Sequence, residues 1–120
     1  MVIDDSRAMR MILSRILRGA GYEVIEAGDG AAALEALAAA PEVPVLALID
    51  WNMPVMNGLE FVQAVRARPD LRGMTLMMVT TESEHSQIVR ALAAGAHEYV
   101  LKPFTPDAIT DKLSLLGLAA

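Results

Sequence analysis

Five short runs of strand character alternate strictly with five helical runs along the 120 residues, and few folds accept that order. Met1-Val2-Ile3 is an apolar stub that stops at Asp4-Asp5. Over 6–18, Met9, Ile12, Leu13, Ile16 and Leu17 recur at helical spacing, and Gly19 and Gly21 end the run. Residues 22–26 alternate and predict a strand, whereas 30–40 is Ala/Leu-rich and helical as far as Pro41. The stretch 43–49 is almost continuously apolar, as in a strand covered on both faces. A loop over 50–58 contains Pro54 and Gly58, and a helix is predicted over 59–68 with Phe61, Val62 and Val65 on one side. A second buried strand is expected over 75–79, ending at Thr80-Thr81. A helix over 86–94, stopped by Gly95, and a short strand over 98–101 follow. Thr105-Pro106-Asp107 offers a hydroxyl cap, a proline at the first helical position and an acid in the first turn, so the last helix runs from there to about Leu116.

Such alternation predicts one α/β domain over 1–120, with a parallel sheet and helices on both of its faces. Its length is within the usual domain range and sufficient to bury a core without staples. No repeat, linker or low-complexity tract interrupts it. Doubly wound sheets of the flavodoxin-like kind, (βα)5 with strand order 2-1-3-4-5, bind ligands outside the carboxyl ends of their strands. Applied here, that rule selects Asp4 and Asp5 after the first strand, Asp50 after the third, Thr80 and Thr81 after the fourth, and Lys102 before Pro103 after the fifth. Residues far apart in the chain thus meet on one rim.

Three neighbouring carboxylates repel one another and call for a cation. Oxygen ligands without His or Cys suit Mg²⁺, which takes octahedral oxygen coordination and keeps some of its water. An aspartate can attack phosphorus as a nucleophile, a lysine can hold a phosphoryl oxygen as a point charge, and a threonine hydroxyl can donate to another. The set is complete for phosphorylation of a carboxylate.

Composition removes several other classes. With no cysteine, disulfides, thiolate chemistry and Cys-based zinc sites are excluded. A net charge of −5 without a Lys/Arg-rich run argues against nucleic acid as this domain's partner. The most apolar window, 31–49, contains Glu35, Pro41, Glu42 and Pro44 and fails as a membrane span of about 20 apolar residues. Asp4, Asp5 and Arg7 interrupt any signal-peptide pattern, so a cytoplasmic domain is expected. His85 and His97 lack partners at metal spacing and are expected at the surface. Met9, Met11, Met74, Met77 and Met78 are expected to fill the core. Trp51 is expected to be a partly exposed loop residue, and Lys112 to lie on a solvated helix face.

In order and spacing, Val2-Ile3-Asp4-Asp5-Ser6, Ile49-Asp50-Trp51-Asn52-Met53-Pro54, Asn57-Gly58, Val79-Thr80 and Lys102-Pro103-Phe104 resemble the motifs of response regulator receiver domains. The likeness covers essentially the whole chain. It leans toward the CheY-like chemotaxis type through 50–54 and 98–104. The resemblance implies a phosphoacceptor at Asp50, with Mg²⁺ held by Asp5, Asp50 and the backbone carbonyl of Asn52, and by Asp4 through water. It implies that Lys102 pairs with the phosphoryl group, that Thr80 moves toward it and that Tyr99 rotates inward. It also implies a cis Lys102-Pro103 bond, and an output surface formed by the fourth helix, fifth strand and fifth helix. Asn52, Thr81 and Glu82 fall where the family tunes its rates. The implied partners are a histidine kinase as phosphodonor and an output protein, a flagellar motor switch protein being one candidate, with the domain itself a monomer.

Two positions depart from that pattern. The first strand begins only three residues before Asp4, shorter than usual, which is expected to lower stability whether the chain is trimmed or the strand simply starts late. Thr81 is bulkier than the small residue common in chemotaxis receivers, which narrows access to the phosphoryl site. Three other readings compete. The chain is a receiver cut from a longer regulator or hybrid kinase; or a haloacid dehalogenase-like phosphatase, which needs a second Asp where Asn52 stands; or a flavin-binding flavodoxin-like protein, whose phosphate Asp4-Asp5 would repel.

Overall fold

The computed structural model describes residues 1–81 and 85–118. The strands are β1 (Val2–Ile3), β2 (Glu26–Ala27), β3 (Leu46–Asp50), β4 (Thr75–Thr81) and β5 (Glu98–Lys102). They alternate with α1 (Arg7–Gly19), α2 (Gly30–Ala39), α3 (Gly58–Arg66), α4 (His85–Ala94) and α5 (Pro106–Leu115). All strand pairs are parallel, and the sheet order is β2-β1-β3-β4-β5. The doubly wound architecture expected from the alternation is therefore the one the chain forms.

Helices start where the sequence offers caps. The side chains of Ser6, Asp29, Asn57 and Thr105 accept backbone N–H bonds from Met9, Ala32, Glu60 and Ala108. At α3 the Glu60 carboxylate also accepts the Asn57 N–H, closing a capping box. Each cap stabilises by about 1 kcal/mol.

The sheet separates two apolar layers. Phe61, Val62 and Val65 of α3 pack with Ile49, Leu76 and Met78 on one face. Leu13 and Leu17 of α1, with Ile109 and Leu113 of α5, cover Leu48, Met77 and Val100 on the other.

Several boundaries move from their expected places. β2 keeps only two ladder residues, so 22–24 lie outside it although Ile25 still accepts the Val2 N–H. β3 starts at Leu46 rather than 43, because Pro44 has no N–H for a ladder and Val43 and Val45 remain exposed. β4 runs on through Thr81, whose partner is Lys102. α3 starts at Gly58 and ends at Arg66, two residues short of the expected end.

Burial corrects four further expectations. Met9, Leu13, Ile16 and Leu17 form one stripe, but Ile12 falls beyond the edge of that stripe and is exposed, as is Met11. Met11 is therefore no core filler, while Met74, Met77 and Met78 are. Trp51 is buried at 6% exposure and packs with Met53 and Phe61, because the loop doubles back and Gly58 donates its N–H to the Trp51 carbonyl at 2.9 Å. Lys112 does not simply face solvent: its ammonium is 3.2 Å from Glu98 and 5.3 Å from the centre of the Tyr99 ring. His97 is exposed, yet its Nδ1 accepts the Leu76 N–H at 3.1 Å. Glu82 and the side chain of His85 lie outside the described residues. No helix among the described residues is long and apolar enough to cross a membrane.

Candidate functional site at the carboxyl edge of the sheet

Register brings the acidic residues together. Ile3 of β1 pairs with Ile49 of β3, so the next residues along, Asp4 and Asp50, leave adjacent strands side by side. Asp50 in turn pairs with Val79, which places Thr80 one step further along β4, and Thr80 pairs with Leu101 beside Lys102. Asp4, Asp5 and Asp50 each present a carboxylate oxygen within 4.8 Å of the others. Lys102 Nζ lies 3.2 Å from both Asp4 Oδ2 and Asp50 Oδ1. The Lys102-Pro103 bond that follows is cis.

Asp4 is 1% exposed, Thr80 1% and Asp50 8%, whereas Asp5 and Asn52 are open to solvent. The rim is therefore a half-buried pocket with one accessible side. Burial, then the Asp4 charge, push the Asp50 carboxyl up to about 6, against the opposing pull of Lys102. Burial alone would lower the Lys102 ammonium, but Asp50 and Asp4 together outweigh it and hold it above its ordinary value. At neutral pH the pocket is thus an ionised Asp50 with Lys102 charged beside it. Replacing Lys102 by Met removes the groups that restrain Asp50, so its titration midpoint is expected above about 6. Carboxyl carbon shifts followed against pH measure this; an unchanged or lower midpoint would show that the ammonium does not sit on Asp50 in solution.

The pocket fits a hard divalent cation. It offers carboxylate oxygens at mutual distances that one ion can span, and an excess of negative charge that a cation relieves. Asp4, Asp5 and Asp50 are the groups that would hold such an ion.

Three further participants have no role assigned from the sequence. Ser6 donates its N–H to Asp4 Oδ1 at 2.9 Å, orienting the buried carboxylate. Gly58 passes so close to Asp50 that an added Cβ would lie 2.5 Å from the Asp50 carbonyl oxygen. Arg10 reaches the Asp4 carbonyl at 2.7 Å. Ser6 and Gly58 fall within the quoted motifs Val2-Ile3-Asp4-Asp5-Ser6 and Asn57-Gly58, whereas Arg10 lies in none.

An acidic cluster and a lysine at the carboxyl edge of a parallel doubly wound sheet stand where α/β domains of this class bind their ligands. The response regulator receiver domain family matches this chain over residues 1–114. Chemotaxis protein CheY1 of Helicobacter pylori is 43% identical over 117 residues, spanning 97% of this chain and 94% of that protein. The chemotaxis protein CheY homolog of Campylobacter jejuni is 44% identical, over 94% of this chain and 87% of its own. The solved structure of the chemotaxis response regulator CheY4 of Vibrio cholerae superposes with a TM-score of 0.87 at 36% identity, covering 96% of this chain and 94% of that one. The chain belongs to the response regulator receiver domain family, among its CheY-like members. It is a two-component signalling domain of the chemotaxis type, a regulator rather than a classical enzyme.

Proposed function

We propose that this receiver takes a phosphoryl group on Asp50 from the phosphohistidine of a histidine kinase, with Mg²⁺ in the acidic pocket. The observation that carries the proposal is the meeting of Asp4, Asp5 and Asp50 within 4.8 Å, bridged by Lys102 at 3.2 Å. An Asp50 oxygen attacks phosphorus, the phosphorus–nitrogen bond to the donor breaks, and an aspartyl phosphate forms. Bound Mg²⁺ supplies charge neutralisation for the phosphoryl oxygens. Lys102, held between two carboxylates, is placed to follow the charge as it moves from Asp50 onto the phosphoryl group. Thr80 approaches a phosphoryl oxygen, Tyr99 follows inward, and the α4-β5-α5 surface changes for an output partner. A flagellar motor switch protein is the favoured partner, in keeping with the chemotaxis names of the relatives. Asn52, Thr81 and Glu82 would set the lifetime of the phosphorylated form. The domain would act as a cytoplasmic monomer, and small phosphodonors would substitute for the kinase.

Trp51, the only tryptophan, adjoins Asp50 and reports on the pocket. Adding Mg²⁺ should change its fluorescence, and beryllofluoride, a phosphoryl mimic, should change it further. The second change should vanish in Asp50→Asn. A folded wild-type protein silent to both additions would sink the proposal.

A further inference from the structure

We infer that Arg10 is a positioning residue for the acidic pocket: its guanidinium fixes the Asp4–Asp5 peptide, and through it the direction of the Asp5 carboxylate. The inference rests on the proposal that the pocket holds Mg²⁺.

Asp4 stands where β1 leaves the sheet and the chain turns into α1. Its N–H continues the ladder by donating to Ala27 at 3.1 Å. Its two carboxylate oxygens accept from the Ser6 N–H at 2.9 Å and from Lys102 at 3.2 Å. The remaining acceptor of this buried residue is its carbonyl, which receives Arg10 Nη1 at 2.7 Å. That bond is short, as expected for a charged donor. Without it a buried carbonyl would lack its partner at the turn that aims the cation ligands.

Arg10 is itself held. Its Nε lies 3.6 Å from Glu26 Oε1, and its side chain is only 21% exposed. A Cβ added at Gly28 would come within 3.7 Å of Arg10 Nη1, so the guanidinium also lies against the turn between β2 and α2. Arg10 therefore joins three elements, α1, the end of β1 and β2, at one carbonyl. Rotation of the Asp4–Asp5 peptide is opposed by this bond. Asp5 is the exposed member of the trio and has the greatest freedom to lose.

Charge and geometry predict opposite signs. A cation near the pocket repels Mg²⁺, so removing Arg10 would tighten binding if its charge were all that mattered. If positioning dominates, removal weakens binding. Lysine keeps the charge but not the planar fork that reaches the carbonyl and Glu26 together.

Mg²⁺ titrations, by calorimetry and by Trp51 fluorescence, should compare wild type with Arg10→Lys, Arg10→Met, Glu26→Gln and Asp5→Asn. Melting curves in Mg²⁺-free buffer would accompany them. The expected result is a Kd raised about tenfold in both Arg10 variants, the lower end of the range for partners that orient metal ligands, and by a smaller factor, about threefold, in Glu26→Gln, which acts one step further out. Unchanged or tighter Mg²⁺ binding by Arg10→Met overturns the inference, as does a lowered melting temperature with an unaltered Kd, which would make Arg10 purely structural. If wild type itself shows no saturable binding that Asp5→Asn removes, the cation pocket fails, and the role of Arg10 fails with it.

Discussion

Asp50→Asn is expected to melt at a higher temperature than wild type in Mg²⁺-free buffer at pH 7.5, while losing all phosphoryl uptake. The two effects share a cause. Burial and the Asp4 charge hold the Asp50 carboxyl at about 6, so its ionised form is disfavoured in the folded protein even with Lys102 at 3.2 Å. A carboxyl whose folded pKa is raised stabilises below its unfolded pKa, and that stability is lost as pH climbs through the folded value. For Asp50 the loss falls between about pH 4 and 6. At about 1.4 kcal/mol per pKa unit it amounts to about 2–3 kcal/mol. Asparagine keeps the shape and never ionises, so it escapes the loss, and a gain of about 6–10 °C follows. Below pH 4 the two proteins should converge. Saturating Mg²⁺ should narrow the gap at pH 7.5, because a cation relieves the same repulsion in wild type. A variant that melts at or below wild type at pH 7.5 would show that Lys102 more than offsets burial and Asp4. Phosphoryl uptake should be zero at any pH, since the amide is no nucleophile toward phosphorus.

Gly58→Ala is expected to destabilise by about 2–3 kcal/mol and to disturb the pocket with it. An added Cβ would lie 2.5 Å from the Asp50 carbonyl oxygen and 3.0 Å from both Trp51 Cα and Met78 Cε. Met78 can shift its terminal methyl, but the two backbone atoms cannot give way without moving Asp50 and Trp51 themselves. The strain would also pull on the N–H bond from Gly58 to Trp51 and on the neighbouring Asn57 cap. Thermal melts should show the stability loss, and Trp51 fluorescence should show a weakened Mg²⁺ response. Gly73→Ala is the matched control, because a Cβ there meets nothing within 4 Å. Equal behaviour of the two variants would mean that the close approach at Gly58 relaxes freely.

Element type and the membership of the rim are legible along the chain, whereas the strand order came with the doubly wound fold class rather than from any local signature. Helices announce themselves by apolar spacing and by caps such as Ser6 and Asn57. The rim follows from one topological rule, which collects Asp4, Asp5, Asp50, Thr80 and Lys102 whatever the side chains do afterwards. Those residues are brought together in the structure by the pairing of Ile3 with Ile49 and of Thr81 with Lys102.

What the tertiary structure alone decides is whatever depends on distance between elements. Spacing along α1 nominates Ile12 for the core, but which arc of the helix meets the sheet is set by how α1 lies on it, and that leaves Met11 and Ile12 in solvent. Trp51 is read as a loop residue and is one; its burial comes from α3 folding back over it, which no local pattern encodes. Lys112 and Glu98 are distant in sequence, as are Arg10 and Glu26, and their pairing exists only once α5 lies on β5 and α1 beside β2. The pKa of Asp50 belongs to the same group. Its residue type and position are written in the sequence, but its proton affinity comes from burial and from charges that three separate strands carry to within a few ångströms. A sequence specifies local conformation through near neighbours, and electrostatics and packing act through space, so the chemistry of the rim is settled only when the sheet closes.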